Sequence, residues 1–125
     1  MTWSKQQLAL IDEEPSFYVA PFRDDGTTYG TDTETWALVV DGAVYVRAAS
    51  GPASRWYQAA ITQKAGRVRV ADQYFNVTFE NSGTDYEAEI DAAYQTKYGS
   101  HEESFAVPIM QGAGPKAAAV RITVR

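Results

Sequence analysis

Between positions 47 and 69 the chain carries Arg47, Arg55, Lys64, Arg67 and Arg69 without one Asp or Glu among them. The whole chain of 125 residues has a formal net charge of -5, so this is a basic island with acidic flanks. Such an island is a candidate anion site. Arg47 ends a run of β-formers, Ser50-Gly51 follows, and a helix is expected to begin there with unpaired backbone N–H groups, an arrangement that suits phosphate. Arg55 falls in the first turns of that helix, where its fork can hold phosphate oxygens in pairs. Ser50 and Ser54 add hydroxyls, Trp56 and Tyr57 add rings able to flank a planar ligand, and Arg67 and Arg69 extend the positive wall from the next strand. The competing reading is structural: the serines cap, Trp56 is core, and the arginines pair with Glu80, Asp72 or Asp91.

No other constellation competes with the island. His101 is the single histidine and stands in a loop stretch between Ser100 and Glu102. A hydrolase triad needs nucleophile, base and orienting group within reach of one another, and no G-x-S-x-G elbow is present. Asp24-Asp25, Glu13-Glu14 and Glu102-Glu103 are adjacent pairs, whose side chains diverge on a strand. With no Cys and one His, disulfides and thiolate metal sites are excluded and a transition-metal site is not expected. The sequence pI near 4.7 speaks against nucleic acid as a partner. No run approaches the ~20 apolar residues of a membrane span. The N-terminal MTWSKQQLALIDEE lacks the pattern of a secretory leader, so a cytoplasmic setting without membrane contact is expected.

The elements that must position the island follow from local pattern. Ser4-x-x-Gln7 has capping-box form and opens a short helix that stops before Pro15. Ser16–Phe22 reads as a strand, and Arg23-Asp24-Asp25-Gly26 as a turn. Thr27–Thr35 reads as a loop or a ragged edge strand. Asp41-Gly42 between Thr35–Val40 and Ala43–Ala49 is the preferred type I′ hairpin turn. With both faces apolar, the first of these strands is expected at the centre of its sheet. A helix of about a dozen residues starts at Ser50-Gly51-Pro52 and is stopped by Gly66. Arg67–Ala71 and Tyr74–Glu80 form a second hairpin around Asp72-Gln73. Thr84-Asp85-Tyr86-Glu87 is a second capping box, ahead of a stripe of Tyr86, Ile90, Ala93, Tyr94 and Lys97. Residues 100–114 read as irregular, and a last strand runs from Ala117 to Val124. The order gives one α+β domain over residues 1–125 with a barrel-like or strongly curled sheet.

The blocks WALVVDGAVYVRA, GPASRWYQAAITQKAGRVRVADQYFNVTF and IDAAYQTKYG resemble a bacterial family of unknown function about this long, over roughly residues 4–124. More distantly, the central block is similar to split-barrel proteins related to pyridoxamine-phosphate oxidases and deazaflavin-dependent nitroreductases. That resemblance implies a six-stranded antiparallel split β-barrel with about three helices. It also implies a homodimer with a flavin (FMN) or deazaflavin between subunits, and an oxidoreductase whose hydride chemistry belongs to the cofactor. Arg47, Ser50, Ser54, Arg55 and Trp56 carry over as cofactor-side residues, and Arg69 joins them from the basic island. Where those relatives have a basic, small-residue loop, this chain reads RDDGTTYGTDTETW. The alternative from a different class is a non-enzymatic dimeric domain whose basic face meets a protein partner or a second subunit.

Overall fold

The computed structural model describes residues 2–83, 86–99 and 107–125. The chain runs α1 (Lys5–Glu13), β1 (Phe17–Pro21), β2 (Thr33–Thr35), β3 (Ala37–Val40), β4 (Ala43–Arg47), a 3-10 turn (Gly51–Ala53), α2 (Arg55–Gln63), β5 (Ala65–Val70), β6 (Gln73–Asn81), α3 (Glu87–Tyr98), α4 (Val107–Met110), α5 (Ala113–Lys116) and β7 (Ala119–Val124). The seven strands form one sheet in the order β2-β1-β5-β6-β7-β4-β3, antiparallel at every pairing. Its first and last strands, β2 and β3, are separated in the chain by Trp36 alone. The sheet therefore curls back on itself and becomes a nearly closed barrel.

Two apolar clusters follow from strand alternation. Val19, Val44, Val46, Val68, Val77, Phe79 and Ile122 point inward, joined by Ile11 from α1 and by Tyr57 and Ala60 from α2. On the outside of the β3–β4 hairpin, Trp36, Leu38, Val40 and Tyr45 meet Ile90, Tyr94 and Tyr98 of α3 with Val107 and Met110. Trp36 and Tyr98 lie nearly parallel with centroids 4.0 Å apart. At the N-terminus, the buried Trp3 donates its indole N–H to the Ile122 carbonyl at 2.9 Å. The Ser4 capping box forms as read, with bonds in both directions to Gln7. The hairpin at Asp41-Gly42 has positive φ at both residues, as a type I′ turn requires.

Several expectations are corrected. There are seven strands and five α-helices among the described residues, not six and about three. The extra strand is the polar Thr33–Thr35, recruited by pairing with β1 rather than by its own pattern. The extra helices, α4 and α5, are single turns, in which Pro108 and Pro115 forfeit no intrahelical bond. β3 lies at the end of the strand order, not its centre. Its two apolar faces are covered instead by the barrel interior and by α3.

The dozen-residue helix is broken: Ser54 is extended at ψ 132, so α2 begins only at Arg55. Lys64 ends α2 in the left-handed region, not Gly66. Gly66 sits within β5, where a Cβ would lie 2.5 Å from the Ala20 carbonyl oxygen and 2.6 Å from the Pro21 Cα. The second hairpin turns at Ala71-Asp72, one residue earlier than read, with Val70 opposite Gln73. Thr84 and Asp85 of the second capping box, and His101 with the start of the 100–114 stretch, lie outside the described residues. No described helix is long and apolar enough to cross a membrane.

The exposed carbonyls of the β3 edge are managed by a side chain. Lys97 Nζ, reaching from α3, donates to the Ala37 and Ile11 carbonyls at 2.8 Å each and so ties β3 to the end of α1. At Gly66 the obstacle is the β1 backbone at Ala20 and Pro21, so Gly66→Ala must push β1 from β5. A loss of about 1–3 kcal/mol in urea unfolding is expected, and an unchanged midpoint would refute the close approach.

Candidate functional site

Alternation along β4 sends Val44 and Val46 into the barrel and Tyr45 and Arg47 outward, under α3. Arg47 is only 1% exposed. Its guanidinium donates to the Asp91 carboxylate, to the Met110 carbonyl at 3.2 Å and to the Glu87 carbonyl at 3.1 Å. Its backbone N–H donates to the Tyr94 hydroxyl at 3.3 Å. One side chain thus gathers the end of β4, the first turn of α3 and the end of α4. Asp91 also receives Lys116 Nζ at 3.0 Å, which adds the end of α5.

The two titratable groups here respond in opposite senses. Burial works to raise the Asp91 carboxyl, but the hydrogen bonds from Arg47 and Lys116 outweigh it, and the group rests below its ordinary value. Burial pushes the Tyr94 phenol upward, so it remains neutral. Arg47 Nε, with no accessible surface, has no hydrogen-bond partner among the described residues.

Beside this knot opens a cavity of about 410 Å³. One wall is Arg47, Ala49, Ser50, Ser54 and Trp56, the chain that leaves β4 and enters α2; the other is Thr33, Glu34, Thr35, Trp36 and Met110. Four of the six residues read as a site from sequence, Arg47, Ser50, Ser54 and Trp56, therefore share one cavity. Arg55 and Arg69 are not among its lining residues. The Ser54 side chain makes no capping bond to α2. On the far wall, Thr35 donates its hydroxyl to the Phe17 carbonyl, and Glu34 is held by the Ser16 hydroxyl. Because β2 is short and polar, patterning left this wall open between a loop and a ragged edge strand, and it is an edge strand. The segment also read as acidic, and its Glu34 is a lining residue.

The expectation that the island converges on one helix N-terminus is not met. Arg67 and Arg69 project from the outer face of β5, and β6 and β7 separate β5 from β4. Arg69 pairs with Asp32 at 3.2 Å and Asp72 at 3.6 Å and lies 4.1 Å from the Tyr18 ring centre. Arg67 lies 4.4 Å from the ring centres of both Tyr29 and Tyr74. An acid-free stretch of sequence is therefore not acid-free in space. Of the partners read as the structural alternative, Asp91 and Asp72 are found and Glu80 is not among the ion pairs of the described residues, while Asp32, the nearer partner of Arg69, was not among those read. Among the described residues no three of His, Cys, Asp and Glu cluster as a metal site would require. The cavity offers rings, hydroxyls and one compensated guanidinium, which bind and orient; no side chain in it is placed as a nucleophile with its base.

Removing Asp91 alone would strand Arg47 in a buried position. Asp91→Asn should cost about 3 kcal/mol in urea unfolding, and adding Arg47→Met should recover much of that loss. Because the folded carboxyl is depressed, its contribution is full above the ordinary carboxylate range and is lost as pH falls below it. Wild type should therefore lose stability more steeply below about pH 4 than Asp91→Asn does. Parallel acid profiles would count against the pairing.

No curated protein matches the chain. Among solved structures, the conserved hypothetical protein Rv2991 from Mycobacterium tuberculosis is similar with a TM-score of 0.63 at 16% identity, covering 100% of this chain and 82% of that one. At that identity the likeness speaks for the fold alone. The model of a family described as uncharacterized proteins conserved in bacteria, DUF2255, matches residues 7–122, and the chain belongs to that family.

Proposed function

We propose that the protein is a split-barrel ligand-binding protein that takes a planar ring system into the cavity between β2–β3 and the β4–α2 connection. The observation that carries this reading is the cavity itself: two indoles, Trp36 and Trp56, line one space of about 410 Å³ with Thr33, Ser50 and Ser54 hydroxyls at hand. Cavities of roughly 300–1,000 Å³ with apolar walls and a few polar groups are the usual form of small-molecule sites. The ring of a flavin or deazaflavin is the ligand class that best suits these walls.

The phosphate of such a cofactor is less well provided for. Arg47 is already matched by Asp91, Arg55 is exposed outside the lining, and Glu34 puts a negative charge in the cavity wall. The residues fit the ring and do not fit a gripped phosphate, so no redox step is assigned and an oxidoreductase role rests on the ring alone. Riboflavin should bind at least as tightly as FMN, read by quenching of flavin fluorescence, and Trp56→Ala should weaken it about five- to tenfold. Failure of riboflavin, FMN and deazaflavin alike to bind would overturn the reading.

A second reading has its own observation. The outer face of β1, β5 and β6 presents Tyr18, Tyr29 and Tyr74 interleaved with Arg67 and Arg69, and Tyr74 is 53% exposed. Tyrosine and arginine dominate binding energy at protein interfaces, which supports a homodimer or partner contact there. Sedimentation of wild type and Tyr74→Glu at low and high salt tests it. A dimer that the substitution or salt weakens is expected, and an unchanging monomer excludes self-association through this face.

A further inference from the structure

The second groove of the molecule holds an amine in an unusual setting. It lies between the end of α1, the β3 edge and α3, with a volume of about 560 Å³. Leu38, Val40 and Ala93 give it apolar walls, Asp12 and Glu89 stand at its sides, and Lys97 is part of its lining. It shares no lining residue with the tryptophan cavity.

The hydrogen bonding of Lys97 is what matters. Among the described residues its Nζ has two acceptors, the Ile11 and Ala37 carbonyls, both at 2.8 Å, and no carboxylate within ion-pairing distance. An ammonium has three protons to place, whereas a neutral amine has two protons and a lone pair. Two fixed carbonyls take both protons of the neutral form, and with the Tyr98 ring centre 5.2 Å from Nζ the lone pair is the direction left without a hydrogen bond.

We propose that Lys97 is a nucleophilic amine and that the groove takes a small, uncharged aldehyde, which it holds as an imine. Nζ adds to the carbonyl carbon, and the carbinolamine then loses water. Both hydrogens of the amine and the carbonyl oxygen leave as that water, and nothing is oxidised or reduced. The imine nitrogen then takes up one proton from solvent, and that single N–H serves one of the two backbone carbonyls. Asp12 and Glu89 disfavour an anionic substrate in the same groove, and the walls from β3 carry no charge.

Titration agrees with the geometry. Burial is the main cause that brings the Lys97 amine down to about 8, with Asp12 and Glu14 at the end of α1 opposing it. A group depressed in this way is neutral far more often near pH 7.5 than an exposed lysine.

The test is reductive trapping of the full chain with limiting butanal and cyanoborohydride at pH 7.5, followed by peptide mapping. Lys97 should be labelled at least about tenfold ahead of Lys5, Lys64 and Lys116. The Lys97 labelling rate should rise with pH and level off above about 8, so its lead over the other lysines is greatest below that pH and fades near pH 10.5, where they are neutral too. Lys97→Arg keeps donors for both carbonyls, so the variant should remain folded and lose the fast labelling phase. Labelling of Lys97 at the same rate as, or later than, the exposed lysines would overturn the proposal. The tryptophan cavity takes no part in this outcome.

Discussion

Arg47 is the constraint around which the outer half of the molecule is arranged. Moving a guanidinium out of water costs several kcal/mol, and the cost is offset only when a carboxylate and further acceptors surround it. At 1% exposure Arg47 needs Asp91, the Glu87 carbonyl and the Met110 carbonyl. Those acceptors come from α3 and α4, so the helices cannot sit elsewhere without stranding the charge. Hydrophobic contacts such as Leu38 against Ile90 tolerate sliding, because burial is non-directional. The guanidinium fork does not tolerate it, and so it fixes the register of α3 over the β3–β4 hairpin. The cavity inherits this precision, since Arg47 and Met110 are both in its wall.

Much of the fold was legible because local chemistry and tertiary structure agree. Ser4 and Gln7 cap the first helix, Asp41-Gly42 turns the first hairpin, and Phe75, Val77 and Phe79 alternate along β6. Reading failed where a tertiary partner decides. β2 has no pattern of its own and exists through Phe17 to Val19 of β1. Gly66 resembles a helix stop, but its lack of a Cβ is demanded by Ala20 and Pro21 on a neighbouring strand. The two-faced apolar run of β3 reads as a central strand, although helices can cover an edge strand equally well.

The candidate site was half legible for a similar reason. Charge summed along the sequence found the segment that builds one wall, because Arg47, Ser50, Ser54 and Trp56 are close in the chain. It could not find the counter-charges. Asp91 lies 44 residues from Arg47, and Asp32 lies 37 from Arg69. Linear charge runs report composition, whereas electrostatic potential depends on distances of a few ångströms. The basic island therefore dissolves into a buried ion pair on one side of the barrel and an arginine–tyrosine face on another.

A buried guanidinium, Arg47, and a half-buried amine, Lys97, show how ligand preference follows from the kind of partner supplied. Arg47 has a carboxylate and keeps its charge, as a guanidinium must at any ordinary pH. Lys97 has backbone carbonyls as its hydrogen-bond partners and a ring contact with Tyr98, while Asp12 and Glu14 act on it only from beyond ion-pairing distance. An amine answers that deficit by releasing a proton, which a guanidinium cannot do. Loss of water thus makes one residue a fixed structural charge and leaves the other with a lone pair. Exchanging the groups would not be symmetric. An arginine between Ile11 and Ala37 would keep donors for both carbonyls but could release no proton, whereas a lysine under α3 would lack the planar fork with which Arg47 reaches three acceptors.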